Sequence, residues 1–327
     1  MKLTVLRYNP RVRFLVDELR KRLAGKKLKV EETGDLSGAE LAERIQDTDI
    51  LLVTPHTGRV DGDMMDVLPE LKLLLTWGDG YEQINVAESS RRGIPVCNAG
   101  AYSNPDVAEM ALTLIFACGR KLLQHVRLVG ENRGAERTSL HPIHRLAGRM
   151  VGLLGFGAIA RELCWRLRGV GFEVQASDPY VDAEVMEHHG VSRVDEQTLF
   201  ATSDFLSLHL RLNDETRGIV SEQKLRLMKS AAFLINVSRG ALVDEEALAR
   251  AVGEGRIAGA GLDVLINEPA SQEDPLFRIP GITITPHAGA GTAGSHHDQV
   301  ENWVKVVEDF LEGKRPLHNQ VNPEIEA

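Results

Sequence analysis

The stretch Val151-Gly-Leu-Leu-Gly155-Phe-Gly157-Ala-Ile-Ala160 decides how the rest of the chain is read. An apolar run feeds a glycine turn, and the turn opens into a helical pattern over 161–169. Gly155 suits the tight exit from a strand, Gly157 lets backbone approach a pyrophosphate, and Ala160 stands where a third glycine would pack helix on strand. Phe156, Ala158 and Ile159 complete the turn and the helix start, where unpaired N–H groups and the helix dipole favour negative charge. Asp178 follows 23 residues after Gly155, at the end of the next apolar run, Phe172-Glu-Val-Gln-Ala-Ser-Asp178. A carboxylate there accepts hydrogen bonds from ribose hydroxyls and repels a 2′-phosphate, so NAD is expected over NADP.

Outward from this unit, strand-like runs alternate with helical patterns, which points to an α/β fold built on parallel sheets. Residues 1–102 contain such runs at 2–8, 27–31, 50–54, 71–76 and 94–97, with helices between them at 11–23 and 38–46. This part has no glycine-rich phosphate turn. One long apolar helix is expected over 105–130, then a polar, turn-rich arm at 133–145. Strands at 150–154, 173–177, 205–208, 233–237, 259–264 and 283–285 make a six-strand doubly wound set. A final helix, 295–313, carries Val300, Trp303, Val304, Val307 and Phe310 at helical spacing, the pattern of a packed face.

The 327 residues suffice for two α/β domains. With 43% hydrophobic and 26% charged residues, the chain reads as soluble and globular. A formal net charge of −9 and the lack of a basic run leave no footprint for nucleic acid. No apolar stretch is long enough to span a membrane, and the first residues read as a strand rather than a signal peptide. Cys97, Cys118 and Cys164 are scattered, as expected of reduced, buried thiols in a cytoplasmic protein. His141-Pro-Ile-His144, His188-His189 and His296-His297 lack a clear third ligand, so no metal is expected.

Three polar residues sit just beyond three strands of the second sheet, where ligands bind in doubly wound folds. Arg239 follows the strand in Asn236-Val-Ser-Arg239-Gly240, and its guanidinium can clamp a substrate carboxylate or polarise a carbonyl. His287, in Thr285-Pro-His287, can protonate the alkoxide formed when a ketone receives hydride. Glu268, in Gly261-Leu-Asp-Val-Leu-Ile-Asn-Glu268-Pro269, can hold the imidazole and favour its charged form. Taken singly, each has a plainer reading: a capping Arg, a structural His, a loop carboxylate. Together they describe hydride transfer to a small 2-oxo acid.

At these residues the chain resembles the D-isomer-specific 2-hydroxyacid dehydrogenase family. The likeness extends to Asn236-Val-Ser-Arg-Gly-Ala-Leu-Val-Asp-Glu-Glu-Ala-Leu248, to Leu71-Lys-Leu-Leu-Leu-Thr-Trp-Gly78-Asp79-Gly80 and to Val107-Ala-Glu109. It implies two Rossmann-like domains, with a nucleotide domain (103–292) inserted into a flavodoxin-like substrate domain (1–102 completed by 293–327). It also implies a homodimer and assigns Arg239, Glu268 and His287 the roles argued above. Backbone N–H groups of Gly78-Asp79-Gly80 would bind the substrate carboxylate. His209, Val237 and Asp263 would lie on the cofactor side.

Three features depart from the family pattern. Asp79 replaces an apolar or hydroxyl residue; pointing inward it would disfavour a simple carboxylate. His209-Leu-Arg211 replaces His-x-Pro, and Arg211 would weaken the preference for NAD. His56 and Arg59 stand in an unusual loop, Thr54-Pro-His56-Thr-Gly-Arg59, where they are candidate contacts to an acidic substrate tail, against the plainer reading of a solvated loop. Formate dehydrogenases share the resemblance but carry Gln at the Glu268 position. The alternatives are a catalytically weak NAD(H)-sensing protein of the corepressor type, which keeps the same three residues, and oxidation of an anion such as phosphite.

Overall fold

Strands such as Ile50-Leu-Leu-Val53 carry no polar face and so need cover on both sides, which parallel sheets obtain from their crossover helices. The computed structural model describes residues 1–6, 13–34, 36–54, 58–130, 140 and 142–325. The end of the first expected strand, His56, and most of the 133–145 arm lie outside the described residues. The chain divides into two compact units, one of 1–103 with 292–327 and the other of 104–291.

The first unit runs β1 (Lys2–Val5), α1 (Arg13–Arg22), β2 (Lys29–Glu32), α2 (Gly38–Ile45), β3 (Ile50–Val53), α3 (Gly62–Asp66), β4 (Leu73–Thr76), α4 (Val86–Arg91) and β5 (Val96–Cys97). Its sheet is parallel with order β2-β1-β3-β4-β5, the flavodoxin-like winding. One face packs Leu3, Val5 and Leu73 against Leu15 and Leu19 of α1; the other packs Leu51, Val53 and Leu74 against Ile45 and Met65.

The second unit begins with α5 (Asn104–Gly119) and α6 (Leu122–Gly130). It continues through β6 (Met150–Leu154), α7 (Ala158–Gly169), β7 (Glu173–Ser177), α8 (Ala183–His188), β8 (Ser192–Arg193) and α9 (Glu196–Thr202). The remainder is β9 (Phe205–Leu208), α10 (Glu222–Leu225), β10 (Phe233–Asn236), α11 (Glu245–Gly253), β11 (Gly259–Leu262) and β12 (Ile282–Ile284). The strand order is β12-β11-β10-β9-β6-β7-β8, all parallel. The winding reverses between β6 and β9, the switch point at which such sheets bind ligands. Leu114, Leu163 and Leu167 cover one face, and Leu199, Phe200 and Leu248 the other.

The last helix, α12 (Ala293–Leu311), returns to the first unit. Thr292 and Ser295 form a reciprocal capping box at its start. Trp303 is fully buried and donates its indole N–H to the Thr76 carbonyl at 3.1 Å. Burial of a side chain this large contributes on the order of 3 kcal/mol and fastens α12 to β4.

Two expectations need correction. The single helix over 105–130 is two helices. Lys121 takes a left-handed φ of 50°, after a tight turn from its N–H to the Cys118 carbonyl. The apolar pattern continues through the break, so periodicity alone does not register it. The second sheet has seven strands rather than six. The extra one, β8, is an exposed two-residue edge paired to Gln175 and Ala176, too short and too polar to announce itself. Cys97 and Cys118 are buried, and desolvation pushes both thiols up to about 12, which leaves them inert.

Candidate active site

The glycine turn is built as its residues suggest. Gly155 has a φ of 91°, and a side chain there would meet the His209 carbonyl oxygen at 2.6 Å. Gly157 caps α7 with no side-chain hydrogen bond, and a Cβ there would meet nothing within 4 Å. Gly157 and Ala158 are exposed, and the first turn of α7 has neither a side-chain cap nor an acidic residue. This arrangement fits a pyrophosphate. Asp178 accepts the Phe156 N–H at 2.8 Å and the Tyr180 N–H at 2.9 Å. Each of its oxygens keeps a lone pair for a further donor.

Across the switch point, His209 follows β9, and its Nε2 lies 2.9 Å from the Ser207 hydroxyl. Desolvation lowers its pKa from 6.5 to about 4, so the ring is neutral in the folded protein at neutral pH. The unfolded chain then binds a proton between pH 6.5 and 4 that the folded chain does not. Stability from this source is complete above pH 6.5 and falls as pH drops toward 4, by at most about 1.4 kcal/mol per pH unit. Urea midpoints measured across this range should fall less steeply for His209→Gln than for the parent; equal slopes would refute the assignment. Val237 is buried just after β10, and Arg211 is exposed.

Three loops at the ends of β10, β11 and β12 carry the candidate catalytic residues. Asn236, almost wholly buried, ties the first loop: its Nδ2 donates to the Arg239 carbonyl at 2.9 Å and its Oδ1 accepts the Ser238 N–H at 3.0 Å. The Arg239 guanidinium leaves this turn, with Nη1 donating to the Ser238 carbonyl at 2.8 Å. In the second loop Glu268 accepts the Leu265 N–H on Oε1 at 2.9 Å and bonds His287 Nδ1 with Oε2 at 2.7 Å. Burial works against charge on Glu268. The His287 bond, the Leu265 N–H and the nearby Arg239 charge outweigh it, and the carboxyl lies below its ordinary range.

His287 has a left-handed φ of 52°. Its turn is held from below by buried Asp263, which accepts the Thr285 hydroxyl at 2.5 Å and the N–H groups of Ala288 and Gly289 at 2.9 and 2.8 Å. The His287 N–H donates to the Asp263 carbonyl at 2.7 Å. The ring is half exposed, and its Nε2 edge carries no partner among the described residues. Nδ1 is thus fixed on a carboxylate while Nε2 faces outward, the arrangement of a proton carrier with an orienting partner.

Gly240 couples the first two loops. A side chain on it would lie 2.0 Å from the Leu265 carbonyl carbon and 2.3 Å from the Ile266 nitrogen. These are backbone atoms, so they cannot swing aside. Gly240→Ala should cost about 1–3 kcal/mol of stability and also lower turnover, because the peptide it displaces leads to Glu268. Unchanged melting temperature and rate would contradict this contact. Sequence reading missed both this glycine and Glu245, which accepts the Ile266 N–H at 2.7 Å. Asp263, read from the resemblance as a cofactor-side residue, has both carboxylate oxygens engaged in the His287 turn.

The remaining candidates belong to the first unit. Gly78, Asp79 and Gly80 follow β4, and the Gly78 carbonyl accepts the Thr76 hydroxyl at 2.6 Å and the Ala99 N–H at 3.0 Å. Asp79 is exposed and its carboxylate accepts the Asn98 amide at 2.9 Å. Asn98 also donates to the Asp79 carbonyl at 3.0 Å. Arg59 is exposed. Among the described residues no group of three or more His, Cys, Asp or Glu could hold a metal ion, and no helix is long and apolar enough to cross a membrane.

The family model described as D-isomer specific 2-hydroxyacid dehydrogenase, NAD binding domain, matches residues 112–289. The chain belongs to this family. The dehydrogenase is 36% identical over 291 residues to a glyoxylate reductase of Thermococcus litoralis, covering 87% of each chain. It is 34% identical to a hydroxypyruvate reductase of Thermotoga maritima, covering 88% of this chain and 93% of that one. Among solved structures, the TT0316 protein from Thermus thermophilus superposes with a TM-score of 0.87 at 29% identity, over 98% of this chain and 100% of the other. The dehydrogenase is thus an NAD-dependent oxidoreductase acting on the CH–OH group of donors.

Proposed function

We propose that the chain reduces small 2-oxo acids of the glyoxylate and hydroxypyruvate class to D-2-hydroxy acids, with NADH as reductant. The reading rests chiefly on one observation, the 2.7 Å bond between Glu268 and His287 Nδ1, with Arg239 on the adjoining loop. The names of the relatives support the substrate class. The nicotinamide cofactor, when bound, would donate a hydride to the substrate C2 as NADH or accept one from it as NAD⁺. Glu268 fixes the imidazole and, as a carboxylate, stabilises its protonated form. His287 Nε2 delivers a proton to the substrate oxygen as charge develops there, and takes it back in the oxidative direction. Arg239 holds the carboxylate and polarises the carbonyl by charge-assisted hydrogen bonds.

Around this set, the N-terminus of α7 receives the pyrophosphate. Asp178 accepts the ribose hydroxyls and disfavours a 2′-phosphate. The first unit serves as the substrate domain, with the N–H groups of Gly78–Gly80 on the carboxylate. The protein works as a homodimer: α6 buries none of its residues and leaves Leu122, Leu123, Val126 and Val129 exposed, a face suited to a second copy.

Loss of NADH and of NADPH absorbance with glyoxylate, hydroxypyruvate, pyruvate and phosphohydroxypyruvate tests the reading. Turnover of the first two with NADH is expected. Preference for phosphohydroxypyruvate would transfer specificity to Arg59, and preference for NADPH would give Arg211 more weight than Asp178. NADH binding without turnover of any of the four would overturn the reductase reading in favour of a sensor.

A further inference from the structure

The loop that carries Glu268 is gripped by two carboxylates on consecutive peptides. Glu268 itself accepts the Leu265 N–H, and Glu245 accepts the N–H of Ile266 at 2.7 Å. Gly240 lies directly beneath the same Leu265–Ile266 peptide. The Leu265–Ile266 peptide thus meets Gly240 and is bonded by Glu245, and the N–H of the preceding peptide is bonded by Glu268.

Glu245 stands in the first turn of α11, where an acidic residue ordinarily serves the helix dipole. That explanation does not account for its side chain. Asp244 already caps the helix by accepting the Ala247 N–H at 2.9 Å, and Glu246, also in the first turn, is exposed. The Glu245 carboxylate instead leaves the helix and reaches a peptide 21 residues further on. It is partly desolvated, and burial raises its proton affinity; the Ile266 N–H opposes this, while the charges of Asp274 and Glu268 add to it. Partial burial disfavours the charged carboxylate, and the bond from the Ile266 N–H offsets part of that cost.

We propose that Glu245 is a positioning residue for the Glu268–His287 pair, holding the Leu265–Ile266 peptide against Gly240 so that Glu268 reaches the imidazole. In this role it acts through Glu268 and not on the substrate or cofactor directly. The proposal rests on the acid–base reading given above.

The test compares the parent chain with Glu245→Met, Glu245→Gln, Glu268→Gln and the double variant Glu245→Met/Glu268→Gln, in hydroxypyruvate reduction with NADH. Met keeps the length and loses the acceptor; Gln keeps an acceptor oxygen. Glu245→Met should lower kcat about tenfold with KM and NADH binding within about twofold, because an orienting contact to the proton carrier is loosened. Glu245→Gln should recover to within about threefold of the parent. The double variant should be no slower than Glu268→Gln, since residues acting through one another are not additive. An unchanged kcat in Glu245→Met, a Gln variant as slow as Met, or a double variant slower by the product of the single effects would overturn the proposal. Should Glu245→Met fail to fold, Glu245→Gln alone decides, because a kcat as low as that of Glu268→Gln contradicts it. A Glu268→Gln variant as fast as the parent would instead overturn the acid–base reading itself.

Discussion

His287→Gln should reduce oxo-acid turnover by about 100- to 10,000-fold while NADH binding, read by fluorescence, stays as in the parent. Glutamine retains hydrogen-bonding capacity toward Glu268 but cannot carry a proton at neutral pH. Hydride arriving at C2 would then leave an alkoxide with no acid beside it. The cofactor turn is unaffected, because Gly155, Gly157 and Asp178 lie on other loops of the sheet. The fold should also persist: the backbone of residue 287 is held by Asp263, not by the imidazole. Histidine tolerates the left-handed φ of 52° better than glutamine, so a modest loss of melting temperature is expected without loss of the fold. Turnover within about threefold of the parent would remove His287 from the mechanism.

The second large effect is expected at Arg239. Arg239→Met removes the guanidinium while keeping much of the aliphatic stem. Loss of a charge-assisted contact to a carboxylate costs about 2–5 kcal/mol, so kcat/KM should fall by about 30- to 5,000-fold. Part of the loss should appear in KM and part in kcat, because the proposed role has one group both bind the carboxylate and polarise the carbonyl. Arg239→Lys keeps the charge but not the planar fork, and should recover only a fraction. Full recovery by lysine would mean that a point charge suffices and that no bidentate clamp operates. Since Arg239 also lowers the Glu268 pKa, its removal should shift the acidic limb of the pH–rate profile upward.

How much of this was legible in the sequence depends on the range of the interactions involved. The glycine turn at 155–160 is local, and its geometry follows from residues within a few positions of one another. The parallel strands announce themselves because both faces are buried and the runs are uniformly apolar. The break at Lys121 does not, because a left-handed residue between two apolar helices leaves the periodicity intact. The edge strand at 192–193 is too short for any pattern. At the site, Arg239, Glu268 and His287 could be picked out as polar residues just past strand ends. The groups that hold them could not. Gly240 matters because a peptide 25 residues later lies against it, and Glu245 because it reaches a backbone N–H across the loop. Asp263 likewise acts on the turn after the next strand, through three hydrogen bonds that no spacing rule reveals.

Formation of NADH from NAD⁺ with D-glycerate and, separately, with L-glycerate tests the proposed reaction most directly. In the proposed mechanism His287 and Arg239 present the substrate to hydride transfer in one orientation, and the family to which the chain belongs is described as D-isomer specific. NADH should therefore form with D-glycerate and not with L-glycerate, and His287→Gln should abolish the signal. Oxidation of the L isomer, or of both alike, would contradict the account.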